Sequence, residues 1–337
     1  MALMFNLGSL LNSSSNSPAI KTSIISLLTC TLLSLTACSN TSMSCNLPLA
    51  PQWANIEEMT QDITVLSSVE FAGRKTNTQG SLLSQSYISQ RFAEIGLVPW
   101  GQDYRVPFEY DYQFSSRQGI NVIGIIPSKI SSNKWRVITA HYDHLGQQGS
   151  KVFHGADDNA SGVAGLLAIA KHWHLHRPKD VNLMLVATDA EEQGLYGSYA
   201  LVKQLTETKN MQIELAMNLD MIGHPSRPRA IYIEGEQNFV HFAQIKDQLS
   251  QKHSLCIRLS YAKLAGSGIQ RMNWLKASDH YPFHKAGIAW IYFGVPPHSQ
   301  YHTTDDTIDT LDLNFLASVT EMAYSFISQQ NSLIATD

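Results

Sequence analysis

The chain has 337 residues, 44% of them hydrophobic, and a formal net charge of −4. That length and apolar content suffice for a sizeable buried core and exclude a wholly disordered chain. The slight acidic balance, without any basic cluster, argues against nucleic acid as a partner.

The first recognisable element follows Lys21. Thr22 to Ala37 is an apolar run diluted by Ser and Thr, short for a membrane span but suited to the apolar part of a signal peptide. It closes in Leu35-Thr36-Ala37-Cys38, which resembles a bacterial lipobox. Cleavage is therefore expected to leave Cys38 as a lipidated first residue, and Ser39 behind it resembles Gram-negative lipoproteins of the outer membrane that face the periplasm. Several acyl chains would anchor such a chain where one would not. A soluble periplasmic or secreted protein is the alternative. The expected boundaries are a leader over 1–37, a polar tether over 38–53 and a catalytic domain over 54–337. Cys45 in the tether and Cys256 far along the chain could pair in an oxidising compartment, and the sequence leaves that pairing open.

Within the domain, Tyr87, Ile88, Phe92 and Ile95 recur at helical spacing. Trp135 to Ala140 reads as a strand covered on both faces, with His141 directly after it. The loop Gly155 to Gly162 runs into a helix predicted over Ala160 to Trp173. Asn182 to Thr188 is another buried strand, followed by Asp189-Ala190-Glu191-Glu192-Gln193-Gly194. Ile213 to Leu219 leads into Asp220, and Ala230 to Glu234 adds a strand. Residues 225–271 carry the weakest pattern and are expected to hold substrate-pocket structure, because loops on such sheets carry specificity. Gly287 to Phe293 leads into the loop with His302, and Leu316, Val319, Ala323, Phe326 and Ile327 mark a final helix. This alternation predicts a three-layer α/β/α sandwich around a central mixed, mostly parallel sheet.

In open α/β sheets, sites form beyond the carboxyl ends of the strands. His141, the Glu191-Glu192 pair, Asp220 and the His302 loop all fall there, and Asp157 lies in a loop that can reach the same edge. Imidazoles and carboxylates without cysteine are the donors of a two-zinc hydrolase, with one carboxylate left over as a base. Taken singly, a histidine at a strand end is usually structural and a Glu-Glu pair usually solvated; their occurrence together in five ordered motifs outweighs that reading. His172, His174 and His176 close an apolar helix, where imidazoles suit the partial negative charge of its C-terminus.

Three strings stand in order: His141-Tyr142-Asp143-His144-Leu145-Gly146, Gly155-Ala156-Asp157-Asp158-Asn159-Ala160-Ser161-Gly162, and Asp189-Ala190-Glu191-Glu192-Gln193-Gly194-Leu195-Tyr196-Gly197-Ser198. With Asn218-Leu219-Asp220-Met221 and Tyr301-His302-Thr303-Thr304-Asp305-Asp306-Thr307, the chain resembles the di-zinc aminopeptidase family of bacterial leucyl aminopeptidase and aminopeptidase Y. Phe71-Ala72-Gly73-Arg74 and Ser278-Asp279-His280-Tyr281-Pro282-Phe283 also resemble family segments. The resemblance implies two Zn2+ ions bridged by Asp157, His141 and Asp220 completing one site, and Glu192 and His302 the other. Glu191 would be the general base, Asp143 would orient His141, and a cis peptide would join Asp157 to Asp158. It implies peptide substrates cleaved at the amino end. The alternatives are a glutaminyl cyclase-like enzyme, which uses one zinc on the same fold, and a non-catalytic peptide-binding relative. The complete ligand set and Glu191 argue against both.

Overall fold

The computed structural model describes residues 48–226, 229–259 and 273–329. The leader, Cys38 and Cys45 lie outside the described residues, as do 227–228 and 260–271 of the least readable segment. Cys256 is disulfide-bonded, and the chain's other cysteines all lie outside the described residues.

A nine-stranded sheet runs through the centre of the described residues. Its strands are β1 (Val98–Pro99), β2 (Arg105–Tyr112), β3 (Ser115–Ile126), β4 (Lys134–His141), β7 (Asn182–Thr188), β8 (Gln212–Asp220), β9 (Ala230–Glu234), β10 (Cys256–Leu259) and β11 (Trp290–Gly294). A separate hairpin joins β5 (Gln147–Gln148) to β6 (Lys151–Val152). The order is β1-β3-β7-β4-β8-β11-β9-β10, with β2 paired to β3. β7, β4, β8 and β11 are mutually parallel, and β3 and β9 flank them antiparallel. The mixed sheet thus has a parallel centre, as the buried apolar runs imply.

Alternation along these strands divides two cores. Leu183, Leu185 and Ala187 of β7 point to one face with Leu215, Met217 and Leu219 of β8 and Ile291 and Phe293 of β11. Met184 and Val186 point to the other with Val137 of β4 and Trp290 and Tyr292. The first face is covered by α1 (Ile56–Leu66), α2 (Gln79–Ile95), α3 (Gly162–His176), α5 (Phe242–His253) and α7 (Leu313–Ile327). The second is covered by α4 (Tyr196–Glu207) and the short α6 (His280–Lys285), through Leu201, Val202, Leu205 and Phe283. Each fully buried aliphatic side chain contributes about 1.5–3 kcal/mol, so a sheet covered on both faces is the dominant stabilising element.

Local chemistry sets the helix ends. Asn55 caps α1 by accepting from the Glu57 and Glu58 N–H groups, Thr78 caps α2, and Asp312 caps α7 through the Phe315 N–H at 3.0 Å. α2 stops at Gly96, whose φ of 88° is the left-handed end that glycine favours. α3 begins at Gly162 rather than Ala160, because the preceding residues are held in a non-helical turn. Of the histidines at the end of α3, His172 packs: it stacks on Trp53 at 3.9 Å and meets Tyr324 edge-on.

Arg74 is the largest buried cation near the strand ends, and none of its hydrogen bonds goes to a carboxylate. Nε donates to the Tyr142 carbonyl at 2.8 Å, Nη1 to the Leu66 and His154 carbonyls at 2.7 Å, and Nη2 to the Gly155 carbonyl at 2.8 Å. One rigid fork therefore ties the segment after His141 to the loop before Asp157. Arg74→Met should leave these carbonyls without a donor. At roughly 1–3 kcal/mol per buried group left unsatisfied, the expected loss is about 3–5 kcal/mol in chemical denaturation. A loss below about 1 kcal/mol would show that water replaces the guanidinium.

Candidate metal centre

The parallel centre of the sheet brings the candidate residues together. His141 ends β4 and Asp220 ends β8, and these strands are hydrogen-bonded neighbours. His141 Nε2 lies 3.3 Å from Asp220 Oδ1. β7 ends at Thr188, and the chain then turns through Ala190, at a φ of 56°, to present Glu191 and Glu192. β11 delivers the loop that carries His302, whose Nε2 lies 3.2 Å from Glu192 Oε2.

Between the two groups stands Asp158, not Asp157. Asp158 Oδ1 is 3.3 Å from His141 Nε2, and its Oδ2 is 3.1 Å from His302 Nε2. The expectation that Asp157 stands between the donors is corrected by one residue, and the physical reason lies in the turn. Asp306 accepts the Asp157 N–H on Oδ1 at 2.9 Å and the Asp158 N–H on Oδ2 at 3.0 Å. With both amides fixed, the two side chains diverge. Asp157 turns away, accepting the Gly223 N–H at 2.7 Å and facing His298 Nε2 at 3.0 Å. The cis peptide likewise joins Asp158 to Asn159, one bond later than expected.

Asn159 secures the far side of this turn. Its Nδ2 donates to the Leu219 carbonyl at 2.9 Å, and its Oδ1 accepts the Gly162 and Met221 N–H groups. A Cβ on Gly162 would come within 2.3 Å of Asn159 Oδ1 and 2.5 Å of the Leu219 carbonyl, so only glycine lets the loop approach β8 this closely. The Asp158 loop is thereby tied to the strand that ends in Asp220.

Asp143 touches His141 differently from expectation. The Asp143 backbone carbonyl lies 3.1 Å from His141 Nδ1, and its carboxylate is 3.9 Å away. The carboxylate instead accepts the Glu191 N–H at 3.0 Å and the Glu192 N–H at 3.3 Å. One residue thus fixes the imidazole through its main chain and the glutamate pair through its side chain. The segment around Asp279 also reaches the site: Thr188 Oγ1 donates to Asp279, and Asn218 Nδ2 donates to Ser278 Oγ at 2.8 Å.

Sequence reasoning missed Asp158, Asp306 and His144. His144 Nδ1 lies 2.8 Å from Glu192 Oε1 and 3.7 Å from Asp158 Oδ2. The signal was present in Asp157-Asp158 and in His141-Tyr142-Asp143-His144, but neighbouring residues of like chemistry cannot be ranked without the turn geometry.

The electrostatics show a shortage of positive charge. Burial, and then the Asp220, Asp279 and Glu192 carboxylates, push the Glu191 carboxyl well above its usual range, with His141 opposing. Burial also raises Asp220, and burial with Asp189 raises Asp143. Burial alone would lower His302, but the Asp158 and Glu192 carboxylates that face its Nε2 at 3.1 and 3.2 Å hold it up at about 10. Asp158 and Glu192, which face the imidazoles, are instead drawn down by them against burial. Donor atoms of His141, Asp158 and Asp220 form one group within 4.8 Å, and those of His144, Asp158 and Glu192 another. Asp158 Oδ2 and His302 Nε2 are buried without a well-formed hydrogen bond. Nitrogen and oxygen donors converging on such orphaned atoms fit divalent cations of the zinc type and do not fit thiolate-bound metals.

A model of "Peptidase family M28" matches residues 121–327. Aminopeptidase YwaD of Bacillus subtilis (strain 168) is 31% identical over 207 residues, covering 58% of this chain and 41% of that protein. The chain spans about half the length of this and other curated relatives. A solved leucine aminopeptidase precursor from Bacteroides thetaiotaomicron superposes with a TM-score of 0.64 at 18% identity, covering 84% of this chain and 100% of that one. The glutaminyl cyclase of the same organism gives a TM-score of 0.63 at 18% identity, with coverage of 84% and 100%. At such identity these structures share the fold, and the fold alone does not separate the two chemistries. The family match runs from β3 to the end of α7 and encloses every strand end that contributes to the centre; the chain belongs to peptidase family M28.

Proposed function

We propose that the protein is a two-zinc aminopeptidase. The observation that carries this reading is the position of Asp158, whose two carboxylate oxygens face separate imidazoles, His141 and His302. A carboxylate with both oxygens so directed suits a pair of ions better than one. His141 and Asp220 would hold the first with Asp158 Oδ1, and Glu192 and His302 the second with Asp158 Oδ2. When bound there, zinc would supply Lewis-acid polarisation of a carbonyl and acidification of water. A glutaminyl cyclase-like role needs only one of these groups, so the second favours the peptidase.

Glu191 is the acceptor for the water proton. The Asp143 carboxylate holds its backbone N–H, which leaves the Glu191 side chain free of that duty. It is half-buried and directly precedes Glu192, which holds it beside the proposed ions, so it can take a proton from water and return it to the leaving amine. The same acidic surroundings favour the ammonium of a free amino terminus in the pocket and disfavour a carboxylate terminus.

Metal content separates the adjacent aspartates. Asp158→Ala should lose bound zinc after dialysis, and Asp157→Ala should retain it; the reverse result would restore Asp157 to the bridging position.

Glu191→Gln should retain zinc and lower kcat by roughly 10²–10⁴-fold, since it removes a proton acceptor and no ligand. Stoichiometric zinc loss in this variant would exchange the roles of Glu191 and Glu192.

The direction of cleavage is tested with one peptide in free, N-acetylated and C-amidated forms. Free and amidated peptides should be cut from the amino end and the acetylated one should resist. Equal cleavage of free and acetylated forms would overturn the aminopeptidase reading in favour of an endopeptidase or deacylase.

A further inference from the structure

We infer that His144 is a positioning residue that fixes Glu192 for metal binding through one oxygen, an inference that rests on the two-metal reading above. His144 Nδ1 is 2.8 Å from Glu192 Oε1, while Glu192 Oε2 is the oxygen that faces His302 at 3.2 Å. The two oxygens of Glu192 are therefore engaged by different imidazoles. Donation of Nδ1–H to Oε1 would leave Oε2 as the metal-facing atom.

The geometry favours this role over direct ligation by His144. Two donor atoms on one tetrahedral zinc, each about 2.0–2.1 Å from it, stand well over 3 Å apart. The 2.8 Å separation is that of a charge-assisted hydrogen bond. A ligating histidine also donates its second ring N–H to an acceptor. His144 Nε2 is buried and has no hydrogen-bond partner. A bare Nε2 lone pair is the cheaper state there, which puts the proton on Nδ1, facing Glu192.

The ring is also held still. Its side chain is fully buried, and it meets His302 edge-on with centroids 5.8 Å apart. Gly155 packs against it at a φ of 60°, where an added Cβ would fall 2.6 Å from His144 Cδ2. The Gly155 carbonyl in turn accepts from Arg74 Nη2 at 2.8 Å. The same loop that carries Asp158 thus sets the orientation of the imidazole that sets Glu192.

The test compares His144→Leu with His144→Asn, whose side-chain N–H can occupy the place of Nδ1–H. Apo protein is titrated with Zn2+ under chelator competition and separately with Co2+, whose visible absorption reports ligand geometry. The unsubstituted protein should bind two equivalents; failure to do so would overturn the two-metal reading itself. His144→Leu should weaken one equivalent by about 10–100-fold and change the Co2+ spectrum. His144→Asn should recover most of both. Two equivalents bound by His144→Leu with unchanged affinity and spectrum would overturn the positioning role. Equal weakening in both variants would overturn it as well, in favour of packing or direct ligation. If His144→Leu does not fold, the Asn variant decides alone: a near-native spectrum and affinity support the role, and loss of either overturns it.

Discussion

The constraint on which this structure depends is the crowding of buried carboxylates at the carboxyl ends of β4, β7 and β8. Asp143, Asp158, Asp220 and Asp279, with the half-buried Glu191, lie where removal from water penalises the charged form, and each but Asp158 has its carboxyl raised above its usual range. Asp158 and Glu192 are drawn down against burial, Asp158 by His144, His141 and His302 and Glu192 by His144 and His302. A cluster of this kind is unfavourable unless it is neutralised, by protons or by cations. Arg74 adds a positive field nearby, but its donors are committed to main-chain carbonyls. The site is therefore stable in proportion to what it can attract, and the fold holds its side chains apart from other sources of charge.

Fixing like charges in place needs a framework that does not itself neutralise them. The protein uses main-chain amides. Asp306 accepts two consecutive N–H groups, those of Asp157 and Asp158, and Asp143 accepts two more, those of Glu191 and Glu192. Each clamp stabilises one carboxylate through charge-assisted hydrogen bonds and aims two others. Asn159 makes the third tie, joining the Asp158 turn to β8. Orientation thus passes from the sheet to the loops through backbone groups, and the side chains at the centre remain available to bind cations.

The sheet explains why so few segments are involved. Parallel strands begin and end together, so β4, β7, β8 and β11 open their C-terminal loops at one edge. The helices on both faces keep that edge aligned but contribute none of the donor atoms. The same scaffold serves solved proteins described as an aminopeptidase and as a glutaminyl cyclase. Function on this fold is decided by the loops at the edge and by which of their polar side chains converge.

Strand identity and the edge at which the site forms were determined by the sequence itself. An unbroken apolar run such as Leu183 to Ala187 has only one comfortable place, the centre of a doubly covered sheet, and the polar residues after it must then emerge at the strand end. His141, Glu192, Asp220 and His302 were legible for that reason. The tertiary structure alone decided between Asp157 and Asp158, gave Asp143 its grip on the glutamate pair, and brought His144 to Glu192. These choices depend on which way consecutive side chains leave a turn, and that direction is set by hydrogen bonds of Asp306, Asn159 and Arg74 to partners far away in the sequence, which exist only once the chain has folded.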